Sequence, residues 1–134
     1  MKWLVKEEPE NYSYDKFAED GFTVWSGVKN PVAQRNLRAM KKGDRVFYYH
    51  TGKEKAIVGT AKVSATAYPD PKDKTGALVV VELKPDKKLK RPVTLSEIKS
   101  SGRFADWALV RIPRLSVMPV TEQQWDAIEA MSRA

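Results

Sequence analysis

The chain has 134 residues, 42% of them hydrophobic and 31% charged, which is enough apolar material for one domain with its own core. It has no cysteine and one histidine, His50, so disulfides, thiolate catalysis, cysteine-ligated zinc and a two-histidine metal site within the chain are excluded. No apolar run is long enough to span a bilayer and no signal-peptide pattern opens the chain, a composition that suits a cytoplasmic protein.

The formal net charge is +7, unevenly spread. Residues 1–20 hold three lysines against six acids, a net of −3, so the remainder carries +10. Two basic clusters stand out: Lys29, Arg35, Arg38, Lys41, Lys42 and Arg45, then Lys84, Lys87, Lys88, Lys90 and Arg91. Such an excess favours a polyanionic partner, although lysine used for solubility accounts for the charge equally well.

Trp3–Lys6 is expected as a short strand closed by Glu8-Pro9. Ser13 caps a helix running to Asp20 and ended by Gly21, with Phe17 as its main apolar contact, and Phe22–Trp25 is extended. The segment Trp25-Ser26-Gly27-Val28-Lys29-Asn30-Pro31 then forms a corner. Asn30 suits a helix N-cap and Pro31 the first helical position, where it loses no hydrogen bond. The corner thus sets a flat ring beside free backbone N–H groups, a shape suited to a planar polar ligand. From Pro31 to Met40 the spacing of Ala33, Leu37 and Met40 predicts a helix, with Gln34, Arg35 and Arg38 directed away from the core. Lys42-Gly43-Asp44 ends it.

Strands are expected over Arg45–Thr51, Ala56–Tyr68 and Leu78–Leu83. The second carries Gly59, Ala61 and Ala65, which suit a bend, and Pro69-Asp70-Pro71 opens a loop. Thr94–Glu97 and Thr121–Gln124 are capping-box patterns, the second opening a C-terminal helix with Trp125, Ile128 and Met131 on one stripe. Trp107–Ile112 and Leu115–Val120 are expected as strands. Strands punctuated by short helices, without regular alternation, indicate an α+β domain around a curled sheet.

Few residues carry chemistry. The isolated glycines form no phosphate loop, the carboxylates have no paired or metal-loop spacing, and no serine lies in a nucleophile motif. Alternation along the strand sets Val46, Tyr48 and His50 on one face and Phe47, Tyr49 and Thr51 on the other. His50 there reads first as a hydrogen-bonded strand-end histidine. Trp25 alone would read as core, but Ser26, Gly27, Lys29 and Asn30 crowd polar groups beside its ring.

Taken in order, Trp3-Leu4-Val5-Lys6-Glu7-Glu8-Pro9, Tyr12-Ser13, Trp25 to Asn30, Ala33-Gln34-Arg35-Asn36-Leu37, Lys42-Gly43-Asp44, Phe47-Tyr48-Tyr49-His50, Ile57-Val58-Gly59, Tyr68-Pro69-Asp70-Pro71 and Leu109 to Val117 resemble the EVE domain family. The resemblance covers nearly the whole chain. It implies a PUA-like fold, a compact β-barrel of about five to six mixed strands with flanking short helices. The family is related to ASCH domains and to YTH domains, which read a methylated adenine in an aromatic cage. The resemblance further implies a non-catalytic module that binds DNA or RNA containing a modified nucleobase, with no cofactor and no metal. By match of motif, Lys6, Trp25, Gly27, Val28, Asn30, Tyr49 and His50 are the base-pocket candidates. Lys29, Arg35, Arg38 and Lys41 are the candidates for phosphate contact. The chain departs from the family pattern in Lys29, where arginine is common, in Glu7, where serine is common, and in the short loop Lys72–Gly76.

Two other readings compete. An enzyme acting on a modified base or nucleotide would use His50 as acid or base, assisted by Lys6 or Glu8. A small-molecule binder would use the same pocket and be indifferent to salt.

Overall fold

A computed structural model describes all residues, 1–134. Strand β1 (Lys2–Glu7) is followed by helices α1 (Pro9–Tyr12) and α2 (Tyr14–Asp20), strand β2 (Thr23–Trp25) and helix α3 (Pro31–Ala39). Strands β3 (Arg45–His50), β4 (Ala56–Pro69) and β5 (Val79–Thr94) come next, then helices α4 (Leu95–Ser100) and α5 (Ala108–Arg111), strand β6 (Val117–Val120) and helix α6 (Glu122–Arg133).

The six strands form one mixed sheet in the order β2-β5-β4-β3-β1-β6. β1 pairs parallel with β3 from Lys2↔Arg45 to Glu7↔His50, and antiparallel with β6. Buried on both faces, these central strands read as near-continuous apolar runs. The long β4–β5 pair shifts register four times, and each irregularity adds bend and twist, which curls the sheet. The sheet remains open at β2 and β6, so the α+β fold is barrel-like without being a closed barrel.

Aromatic packing distinguishes the two faces at β3. On one, Tyr48 meets Tyr14, Phe17 and Trp25 at centroid distances of 5.4, 5.5 and 5.4 Å. On the other, Phe47 stacks on Trp125 of α6 at 3.7 Å with 9° between planes. Both are core, so the alternation sorts neighbours here and does not separate buried from exposed.

Four expectations are corrected. Trp107–Ile112 is not a strand: α5 forms there, with the Val110 and Arg111 N–H groups donating to the Trp107 carbonyl and Ile112 N–H to Ala108. Six mostly apolar residues, broken only by Arg111, carry no decisive period, and Pro113 ends this run. Pro9 does not simply close β1 but opens α1, where its missing N–H is harmless. β5 runs eleven residues beyond the expected end at Leu83, through the lysine-rich stretch to Thr94. Its backbone is paired with β4 while the lysine heads stay in water, so polarity hid the strand. Finally, Gln34 is directed inward and buried, not outward.

Candidate nucleic-acid interface

Trp25 ends the edge strand β2, opposite Val81 of β5, with its ring 5% exposed and edge-on to Tyr48. Buried as it is, it borders a cavity of about 210 Å³ lined also by Glu7, Tyr12, Thr23, Val24 and Ser26. Glu7 arrives from the end of β1 and Tyr12 from the end of α1. The Tyr48 hydroxyl donates to the Tyr12 carbonyl, and the Tyr12 hydroxyl donates to Asp20 at 2.8 Å, so that wall is tied to the core and to α2. Burial, reinforced by the charge of Glu7, pushes the Tyr48 phenol above its ordinary value and keeps it a donor. One Glu7 oxygen accepts from the Glu8 N–H at 2.9 Å; the other remains a free acceptor.

The corner after Trp25 is held by its backbone. Gly27 has φ +77° with open space where a Cβ would stand, so conformation and not crowding calls for glycine. Asn30 caps α3, its Oδ1 accepting from the Ala33 N–H at 3.0 Å. Gln34 fastens the corner to the sheet. Its amide donates to the Val28 carbonyl at 2.7 Å and the Val79 carbonyl at 3.1 Å, and its Oε1 accepts from the Val79 N–H at 2.9 Å. No local pattern in the sequence distinguishes Gln34 from a solvent-facing glutamine one turn after an N-cap.

The structure divides the other candidates. Adjacent residues of a strand face opposite ways, so Glu7 and Tyr48 lie on the Trp25 side while Lys6 and Tyr49 lie on the other. Lys6 and Tyr49 line a different cavity, with the Lys6 ammonium 5.4 Å over the Tyr49 ring and donating to the Pro113 carbonyl at 2.9 Å. Burial lowers the pKa of Lys6 and pushes the Tyr49 phenol up to about 12. His50 is buried on the Tyr48 side and does not line the Trp25 cavity. Val28 is buried, while Gly27 and Asn30 are exposed at the corner. Glu7, Tyr12, Thr23 and Ser26 line the cavity without having been candidates for it. Glu7 and Tyr12 lie inside the family-like motifs, but nothing in the sequence aims them at Trp25.

Lys29, Arg35, Arg38 and Lys41 are all exposed on α3 or its flanks. None is in an ion pair, although Arg38 donates to the Ala77 carbonyl at 2.6 Å. The second basic cluster is partly neutralised, Lys88 by Asp15 at 2.8 Å and Arg91 by Glu97 at 2.9 Å. The α3 side therefore presents the freer positive charge.

Known proteins share this architecture. The EVE domain family model matches residues 1–131. Human thymocyte nuclear protein 1 is 30% identical over an alignment of 160 positions covering 94% of this chain and 71% of that protein. Its structure in complex with 5-methylcytosine-containing DNA superposes with a TM-score of 0.91 at 28% identity, covering 99% of this chain and 98% of that one. The NMR structure of Rpa0253 from Rhodopseudomonas palustris gives 0.94 at 46% identity, covering 98% and 92%. An ASCH protein from Zymomonas mobilis, at 13% identity and a TM-score of 0.62 over 97% and 94% of the two chains, shares the fold alone. The chain belongs to the EVE domain family.

Proposed function

We propose that this protein is a non-catalytic nucleic-acid-binding module that takes one unstacked, modified nucleobase, a 5-methylated cytosine, into the Trp25 cavity. The observation that carries the reading is an indole bordering a small polar void, on a fold whose human relative was solved with 5-methylcytosine-containing DNA.

Size supports a single base. Pockets for drug-sized ligands run from about 300 Å³ upward. At about 210 Å³ this cavity is smaller, and suits one heterocycle. Chemistry supports cytosine. Its exocyclic amine needs an acceptor, a part that carboxylates play for cytosine N4, and Glu7 keeps one oxygen free for it. Trp25 offers a stacking or edge contact, and Thr23 and Ser26 add hydroxyls. A buried methyl contributes only about 0.8 kcal/mol, so the preference for a methylated base is modest and depends on shape. Lys29, Arg35, Arg38 and Lys41 hold the phosphates beyond the pocket.

The test is titration of the protein with two oligonucleotides of one sequence, one carrying 5-methylcytosine and one cytosine. Trp25→Ala is expected to weaken the methylated complex by about 1–3 kcal/mol, the size of one stacking contact, and to shrink the difference between the two oligonucleotides. Equal losses on both would refute base reading by this pocket.

A further inference from the structure

On the face of the sheet opposite Trp25 lies a second cavity, of about 220 Å³, to which Lys6, Tyr49, Lys55, Leu95 and Lys99 contribute. It shares Lys55, Leu95 and Lys99 with an open depression of about 510 Å³ that adds Lys53. The two adjoin through these shared residues and together make a hollow between the β3–β4 loop, the start of α4 and the segment around Pro113. Four lysines line it, and Glu54 is its one carboxylate. That carboxylate is already engaged, 2.7 Å from Nδ1 of His50.

Two features set this hollow apart from scattered surface lysines. Lys55 has φ +47°, the one non-glycine residue of the chain in the left-handed region. An ordinary L-residue adopts that conformation only at a cost, and glycine would adopt it freely. The bend is pinned by the Lys55 carbonyl accepting from the Leu95 N–H at 2.8 Å, which fixes a cation at the rim both depressions share. Lys6 is the second feature. The residue is half-buried, and its ammonium rests over a buried tyrosine ring and forms no ion pair. A partly desolvated cation with only a carbonyl for company is stabilised by any anion that enters. Leu95, Leu109 and Val110 exclude part of the water and strengthen such a contact.

We propose that this hollow is a phosphate-binding site, distinct from the base cavity and independent of its function. Lys6 forms the floor contact, and Lys55 and Lys99 close on the anion from the rim with charge-assisted hydrogen bonds. The phosphate can belong to a nucleic-acid backbone or to a free phosphorylated small molecule, since the recognising chemistry is shared.

The test is titration of the full chain with inorganic pyrophosphate, followed by the backbone amide resonances of Gly52, Lys55 and Leu95. Saturable shifts centred on these residues are expected. In the double variant K55A/K99A, its fold verified by unchanged amide dispersion elsewhere, affinity should fall at least tenfold, whereas K87A/K90A, at two lysines that line neither depression, leaves it unchanged. Absence of saturation, or equal affinity in K55A/K99A, would overturn the proposal. A competition arm with an unmodified oligonucleotide identifies the source. Displacement of pyrophosphate supports a backbone phosphate, and simultaneous binding supports a free anion.

Discussion

His50 is fixed between two partners that define its tautomer. Nε2 accepts the Tyr14 N–H at 3.0 Å, so the ring proton resides on Nδ1, facing Glu54 at 2.7 Å. A general acid or base needs one nitrogen free to meet substrate, and here both are occupied. The assistants that an enzyme would require are also dispersed: Lys6 lines the hollow on the opposite face, and Glu8 is exposed beyond the end of β1. Through Nε2, His50 joins the start of α2 to the end of β3. His50→Ala leaves a buried backbone donor unpaired, and is expected to lower stability by about 1–3 kcal/mol, read as a shifted midpoint in urea denaturation. Turnover of a modified nucleotide that vanished in His50→Ala with stability intact would favour the catalytic reading.

Among the elements, β4 and α2 meet at one point with no slack. A Cβ on Gly59 would stand 2.4 Å from Cε1 of Tyr14, whose hydroxyl donates to the neighbouring Thr60 carbonyl at 2.8 Å. The ring cannot swing aside without breaking that bond and its edge contact with Tyr48. Gly59→Ala is expected to cost about 1–3 kcal/mol, with a lowered thermal midpoint and changed signals in α2. That glycine was visible in the sequence as a residue suited to a bend; the close approach of an aromatic was not, because Tyr14 lies 45 positions away. The same division runs through the fold. Local chemistry was legible: Ser13, Asn30, Thr94 and Thr121 each accept the backbone N–H three residues on, as their patterns predict. Non-local placement was not. Alternation alone requires Lys6 and Glu7 to face opposite ways, yet which of them shares a face with Trp25 depends on the parallel β1–β3 pairing and on β2 joining the far edge through β5. The family resemblance identified the corner around Trp25 and set Lys6, Tyr49 and His50 with it in one pocket, whereas none of those three lines the Trp25 cavity.

Over the whole molecule, charge is arranged so that attraction and reading are separable. Two of the six acids in the first twenty residues engage cations, Asp20 with Lys16 at 3.3 Å and Asp15 with Lys88, while Lys29, Arg35, Arg38 and Lys41 form no ion pair and are exposed. If those cations neutralise backbone phosphates, each such ion pair releases counterions, and the logarithm of affinity falls linearly with the logarithm of salt by about 0.7–0.9 per phosphate. Reversing Arg35 and Lys41 to glutamate removes two phosphate partners, and is expected to flatten that slope by about 1.4–1.8 and to weaken methylated and unmethylated DNA alike. Trp25→Ala should do the converse, leaving the slope unchanged while reducing the preference for the methylated base, because an indole releases no counterion. The measurement is a fluorescence-anisotropy titration of both oligonucleotides over a range of potassium chloride concentrations with the wild type and the two variants. A wild-type affinity indifferent to salt would mean that no phosphate is held, and would favour a small-molecule ligand for the Trp25 cavity. A slope that survives the double charge reversal would move the backbone contact off α3, toward the lysine-lined hollow on the opposite face.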